Sequence, residues 1–181
     1  MVLLLQYTLI FASVLILVAL GGCFSEHSGV VNIGLEGIMV MGALGGALMM
    51  KYLPSTMAAP LVILFVILGS VIVGMVFSLF LGVAAIHFNA DQTLVGTALN
   101  LLGPAAAVVI VRAINMSESI DNVSSTVAYK EAKKAFLVNI GKFEFSWFML
   151  LALLILIVSY IILYKTKFGL RLMACGEHPQ A

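Results

Sequence analysis

Long apolar runs separated by short polar patches dominate the chain. The runs are apolar on all sides and lack the two-residue alternation of membrane β-barrel strands. About 20 apolar residues cross the hydrocarbon core as a helix. We therefore expect five membrane-spanning helices, at residues 3–20, 29–50, 61–87, 93–111 and 147–164.

Glycine, proline and polar residues mark the predicted ends of these helices. Gly21 and Gly22 are expected to close the first helix, and Lys51 with Pro54 to end the second. A tight polar turn is expected at residues 89–92. The pair at residues 103–104, Gly-Pro, predicts a kink or break in the fourth helix.

Two segments differ from the rest in polarity. Residues 112–146 hold most of the charge and are expected to form a loop, in which residues 127–137 could lie on the membrane as an amphipathic helix. Residues 165–181 form a polar tail with Lys165 and Lys167 just beyond the fifth helix. Basic residues in that place are typical of a cytoplasmic flank.

Composition agrees with the pattern and narrows the function. The chain is 63% hydrophobic and 9% charged, whereas soluble domains are about half apolar and about a quarter charged. We expect an all-α, polytopic transmembrane helical bundle. The net charge of +1 provides no basic stripe for nucleic acid. Two distant cysteines and three scattered histidines match no metal or disulfide spacing, and no cluster of catalytic residues suggests an enzyme.

Small residues recur every four positions in two predicted helices. This spacing lets helix backbones approach closely in lipid and predicts helix–helix packing rather than chemistry. The residues are Gly42 and Gly46 in the second helix, and Ser70, Gly74, Ser78 and Gly82 in the third.

Glu36 and Asn32 lie inside the second predicted helix, one turn apart. A charge at membrane depth is costly and normally faces a partner or a watery cavity. Two interpretations are open. Glu36 and Asn32 line a substrate pathway, or Glu36 is protonated or hydrogen-bonded between helices as part of the packing.

A second polar group surrounds the start of the fourth helix. Gln92, Gly96 and Asn100 share one face at four-residue spacing. They could form a polar pore wall. Alternatively, Asn89 or Asp91 caps the helix and Asn100 bonds a neighbouring helix.

Three segments carry a resemblance to a known family. They read SEHSGVVNIGLEG at residues 25–37, NADQTLVGTALNLL at 89–102 and FGLRLMACGEHPQA at 168–181. In order and form they resemble the permease subunits of bacterial ABC importers for ribose-type sugars, branched-chain amino acids and nucleosides. The first segment is most similar to the nucleoside, or basic membrane protein-linked, branch.

The resemblance implies a non-enzymatic subunit of the bacterial cytoplasmic membrane with no cofactor of its own. Its partners would be an ABC ATPase that binds ATP, a second permease subunit and an extracytoplasmic substrate-binding lipoprotein. The expected cargo is a nucleoside or similar small polar solute. The alternatives are a ribose-type sugar, a branched-chain amino acid, or a membrane scaffold without transport.

The resemblance also assigns sides and site residues. Residues 112–146 would be extracytoplasmic and 165–181 cytoplasmic, although the loop carries more Lys and Arg than the tail. Family members are longer, so the chain is expected to be the N-terminal part of a permease. Substrate-pathway candidates are Asn32, Glu36, Gln92 and Asn100. Candidates for coupling to the ATPase are Phe168, Gly169, Arg171, Gly176, Glu177 and Pro179.

Overall fold

The computed structural model describes residues 2–54, 56–127, 137–140 and 143–178. Helices account for most of these residues, which confirms the predicted all-α class. The α-helices are α1 (Val2–His27), α2 (Leu35–Tyr52), α3 (Ala59–Gly82), α4 (Gln92–Glu118), α5 (Trp147–Lys165) and α6 (Lys167–Glu177). A π-helical turn, Val83–His87, extends α3. Two short strands, β1 (Leu137–Ile140) and β2 (Phe143–Ser146), pair antiparallel inside the region predicted as a loop.

Four helical segments of the described chain are long and apolar enough to cross a membrane. They are Leu4–His27, Ala59–His87, Gln92–Glu118 and Trp147–Lys165. α2, with 18 residues that include Glu36, Lys51 and four glycines, is not among them. The large apolar side chains along these four segments are mostly exposed, as expected for helices that face lipid.

α1 continues past the glycine pair that was expected to end it. Gly21 and Gly22 are helical, and the helix ends at His27. Glycine is tolerated within membrane helices, because no water competes for the backbone hydrogen bonds. The actual stop is Gly29, with a φ of +85°. Consequently α2 begins at Leu35, six residues later than predicted.

α4 is continuous across Pro104, which excludes a break there, while the kink stays a prediction. Membrane helices tolerate proline, because neighbouring groups satisfy the backbone that it leaves unpaired. The helix reaches Glu118 and includes the first seven residues of the predicted loop, 112–118. The predicted amphipathic helix at 127–137 falls mainly on residues outside the described part of the chain.

The chain divides into two compact units. One comprises Met1–Asn32 and Phe136–Ala181, and the other Ile33–Ala135. In the second unit, α2 runs antiparallel to α3 and parallel to α4. Phe77, Leu81 and Leu99 form its buried cluster.

Small residues make the α2–α3 contact, as predicted. A Cβ on Gly42 would lie 3.3 Å from the Ser70 carbonyl oxygen. A Cβ on Gly45 would lie 2.6 Å from the carbonyl oxygen of Gly69. By contrast, a Cβ added to Gly82 would meet no described atom within 4 Å, so the stripe ends before it.

In the first unit, α1 and α5 run parallel. His27, the last residue of α1, meets Tyr164 near the end of α5, with ring centroids 6.1 Å apart. At the other end, β2 contacts α1 and leads directly into α5. α6 follows α5 after Thr166 and also contacts α1.

Candidate functional site

Asn100 on α4 holds the beginning of α2 through two hydrogen bonds, which we call the clamp. Its Oδ1 accepts a hydrogen bond from the Gly37 amide at 2.8 Å, and its Nδ2 donates to the Ile33 carbonyl at 2.8 Å. The N-cap residue of α2, Gly34, has no side chain to cap the free amides of the first turn. Asn100 therefore serves as an N-cap supplied from another helix. Of the two interpretations of Asn100, bonding to a neighbouring helix is confirmed.

Glycines bring the two backbones into direct contact around this clamp. A Cβ on Gly103 would lie 2.7 Å from Gly37 Cα, and one on Gly96 would lie 2.9 Å from the Gly34 amide nitrogen. A Cβ on Gly37 would overlap the Leu99 carbonyl. Two of the three segments that resemble the permease family therefore pack against each other. They are the second half of 25–37 and the segment 89–102, which the sequence pattern did not connect.

Glu36 lies at the second helical position of α2, between the two backbone groups that Asn100 binds. Its side chain is exposed in this unit. A carboxylate in the first turn is stabilised by the amide dipoles of the helix start. The clamp fixes the helix turn that carries this charge, so Glu36 is presented from a rigid support.

The other two pathway candidates are not part of the clamp. Gln92 is the first residue of α4 and is half-buried, two turns before Asn100. Asn32 belongs to the other unit. Its Oδ1 is buried and has no hydrogen-bond partner among the described residues. Within the second unit, the structure therefore brings Asn100 to the turn that carries Glu36.

Asp91 caps α4, as the second interpretation of the 89–92 turn expected. Its Oδ1 accepts from the amides of Thr93 at 2.8 Å and Leu94 at 3.2 Å. Asn89 makes the turn tight by adopting a φ of +49°, a left-handed conformation that asparagine tolerates better than most residues. Both of these hydrogen bonds to Asp91 are local, so Asp91 serves as the N-cap of α4.

The 25–29 segment is the end of α1. The Val30 amide donates to the Ser25 carbonyl, and the Gly29 amide donates to the Glu26 carbonyl. These two bonds with a left-handed glycine form a Schellman motif. The side chain of Ser25 adds a bond to the Val30 carbonyl at 2.7 Å. We call residues 25–29 the α1 turn.

The coupling candidates form α6 and its flanks. Thr166 caps the helix by accepting from the Gly169 amide. Phe168, Arg171 and Glu177 are exposed, and Phe168 retains 59% of its accessible surface. Pro179 lies outside the described residues.

The two coupling glycines have a different role from the exposed residues. A Cβ on Gly169 would overlap the Leu163 carbonyl at the end of α5. A Cβ on Gly176 would lie 2.5 Å from the His27 carbonyl oxygen and 2.9 Å from the Gly29 amide nitrogen. Each glycine therefore allows α6 to touch backbone at one of its ends, and Gly176 faces the α1 turn.

One polar cluster was missed by sequence reasoning. Lys51, expected only to mark a helix end, forms an ion pair with Glu118 at 2.9 Å. Asn115 is 2% exposed, accepts from Lys51 and donates to the Ser124 and Thr126 carbonyls. The cluster joins the ends of α2 and α4 and holds the following loop. In the sequence, this cluster is indicated only by the positions of Lys51 and Asn115 at the ends of apolar runs.

Comparison with known proteins identifies the family. The family model described as branched-chain amino acid transport system / permease component matches residues 4–181. The chain belongs to this permease family. The match confirms the resemblance found in the three segments, and the permease is therefore a membrane protein.

Individual relatives include nucleoside transporters. The guanosine ABC transporter permease protein NupQ of Bacillus subtilis is 42% identical over 96% of this chain and 56% of its own length. The nucleoside ABC transporter permease protein NupC of Lactococcus lactis is 36% identical over 96% and 55%. The putative glucose ABC transporter permease protein TsgC13 of Haloferax volcanii is 29% identical over 98% and 52%.

The permease thus spans about half the length of the curated relatives that it matches. No solved structure matches the chain.

Proposed function

We propose that the permease forms part of the membrane channel of an ATP-driven importer for a nucleoside or similar small polar solute. The observation that carries this proposal is the 42% identity to a guanosine permease across 96% of the chain. The clamped start of α2 supports it, because it presents Glu36 and its neighbours from a rigid element. Polar groups of membrane proteins that face a watery cavity commonly serve a solute pathway.

Five membrane crossings agree best with the helix directions. Two parallel helices of one chain are separated by an odd number of crossings, and α1 is parallel to α5. α3 and α4 alone would supply two crossings, which would leave α1 and α5 antiparallel. α2 packs antiparallel to α3 and parallel to α4, as a further crossing would require. These directions support α2 as the second span, although its composition alone does not.

The proposed topology puts α6 on the cytoplasmic side. The ends of α1 and α5 would then be cytoplasmic too, and the loop after Glu118 extracytoplasmic. An ABC ATPase would dock on α6 and hydrolyse ATP, and the permease itself would bind no cofactor. A second permease subunit would complete the channel. An extracytoplasmic lipoprotein would deliver the solute to the opposite side of the bacterial cytoplasmic membrane.

A sugar is the second candidate, because one relative is named as a putative glucose permease. The deciding experiment measures uptake of labelled guanosine, glucose and leucine by cells that express the permease with its ATPase and binding lipoprotein. We expect guanosine uptake that unlabelled nucleosides inhibit. Uptake of glucose or leucine alone would show that the cargo is that solute and not a nucleoside. Absence of any uptake, with no ATPase co-purifying, would support a scaffold instead.

Glu36 is tested in the same cells. We expect Glu36→Gln to reduce uptake at an unchanged level of permease in the membrane, because the charge of the pathway is lost. Asp121→Asn is the matched control, since Asp121 is an exposed carboxylate in the loop after α4. Equal uptake by both variants would remove Glu36 from the pathway.

A further inference from the structure

The α6 helix is held at both ends by backbone contacts. At its start, Thr166 donates to the Ile162 carbonyl at 2.6 Å and accepts from the Gly169 amide, while Gly169 lies against the last turn of α5. At its other end, Gly176 lies against the α1 turn. With 11 residues, α6 is a rod of about 16 Å. It is supported by a different membrane helix at each end.

The contact at Gly176 leaves no free space. A Cβ built on Gly29 would lie 3.0 Å from Gly176 Cα, and a Cβ built on Gly176 would lie 2.5 Å from the His27 carbonyl oxygen. These neighbours are backbone atoms, which cannot rotate away as a side chain can. α6 therefore cannot tilt about Thr166 towards α1 without displacing the α1 turn.

The α1 turn is itself rigid. Its Schellman bonds are supplemented by the hydroxyls of Ser25 and Ser28, which donate to the carbonyls of Val30 and Ser25 at 2.7 and 2.6 Å. The His27 ring packs edge-on against Tyr164, and its Nδ1 lies 2.7 Å from the Cys23 carbonyl. A displacement of the turn is thus transmitted to α1 rather than absorbed by local bending.

We propose that α6 acts on two membrane helices at once, on α5 at Gly169 and on α1 at Gly176, so that α1, α5 and α6 move as one body. The proposal rests on the importer function above. It makes Gly29 and Gly176 positioning residues, which transmit force without touching solute or ATP. A coupling helix attached only through its chain link would instead move α5 alone. Packed elements with no slack convert a local push into a rigid-body rotation.

The first test separates docking from coupling. We expect Gly176→Ala to retain the ATPase during purification and to reduce the solute imported per ATP hydrolysed about tenfold, a common size for coupling between two sites. Gly21→Ala is the matched control, because Gly21 is a helical glycine of α1 with nothing within 4 Å of an added Cβ. Full coupling in Gly176→Ala would overturn the proposal.

The second test measures the rigid body directly. Spin labels on the exposed native Cys175 and on Glu26→Cys, in a Cys23→Ala background, place one probe on each side of the contact. We expect a narrow distribution of the distance between the labels at 26 and 175, with the same mean in the nucleotide-free and ATP-bound complexes. A second pair of labels, on the two ATPase subunits, confirms that these subunits close when ATP binds. In Gly176→Ala the distribution should broaden.

The outcomes distinguish the two proposals. A shift of several ångströms between probes 26 and 175 on ATP binding, in a complex that imports solute, would refute the rigid body and leave the importer intact. Failure of the ATPase to co-purify with the unaltered permease would refute the importer.

Discussion

Replacing Asn100 by leucine removes the side chain that caps α2 from α4. Two hydrogen bonds disappear, and the amide of the buried residue Gly37 is left without its acceptor. Interhelical hydrogen bonds in membranes contribute about 0.6 kcal/mol on average. An unsatisfied buried amide costs about 1–3 kcal/mol. We therefore expect Asn100→Leu to lower the free energy of unfolding by about 2–4 kcal/mol.

Asn100→Asp tests which half of the clamp matters. Aspartate keeps an acceptor for the Gly37 amide, and its charge is favourable by about 0.3–1 kcal/mol near a helix start. It loses the donor to the Ile33 carbonyl. We expect a smaller loss than for Asn100→Leu. Thr97→Val is the control on the same helix, because the Thr97 hydroxyl is exposed and bonds only to the Thr93 carbonyl of α4 in the described contacts.

The assay combines a global and a local measurement. Unfolding in mixed detergent micelles, followed by circular dichroism, gives the free energy. Hydrogen exchange at the Gly37 amide gives local opening, and we expect exchange about tenfold faster or more in Asn100→Leu. If Asn100→Leu unfolds like Thr97→Val and the Gly37 amide stays protected, the clamp does not hold α2 and our account of the site is wrong.

Three further predictions follow from other contacts. Gly103→Ala puts a Cβ 2.7 Å from an α2 backbone atom and should destabilise by about 1–3 kcal/mol in the same assay, whereas Gly82→Ala, with open space, should stabilise slightly. Lys51→Met removes the ion pair between α2 and α4, in which the Glu118 side chain is half exposed. We expect the free energy of unfolding to fall by about 1 kcal/mol and proteolysis of the loop after α4 to become faster. An impermeant thiol reagent outside intact cells should miss Cys175 and label Asn122→Cys; the reverse would overturn the five-span topology.

Local features were predictable from the sequence. The Asp91 cap and the small-residue contact between α2 and α3 depend on residues close together in one run or on spacing within a helix, so their patterns were visible. The end of α1 and the break at Pro104 within α4 were misjudged for a physical reason. Glycine and proline interrupt helices in water, but within a membrane the backbone gains nothing by leaving the helix.

Long-range partners could not be predicted in this way. Asn100 and Gly37 are 63 residues apart, and no local pattern indicates which backbone group an asparagine will bind. Gly176 was a candidate for coupling to the ATPase because it lies in a family motif, and that motif gave no sign of its partner in the fold. The structure turns it towards the α1 turn, because only glycine permits that backbone approach. The strands Leu137–Ile140 and Phe143–Ser146 are too short for a clear alternation.

The composition of α2 has a consequence for biosynthesis. α2 carries Glu36 and Lys51 near its two ends and packs through glycines against α3 and α4. The two charges at its ends reduce the apolar gain of entering lipid before its partner helices are present. Its small-residue face acquires a partner only after α3 emerges, and its first turn is capped only when Asn100 follows. We therefore expect stable insertion of α2 to depend on the presence of both α3 and α4.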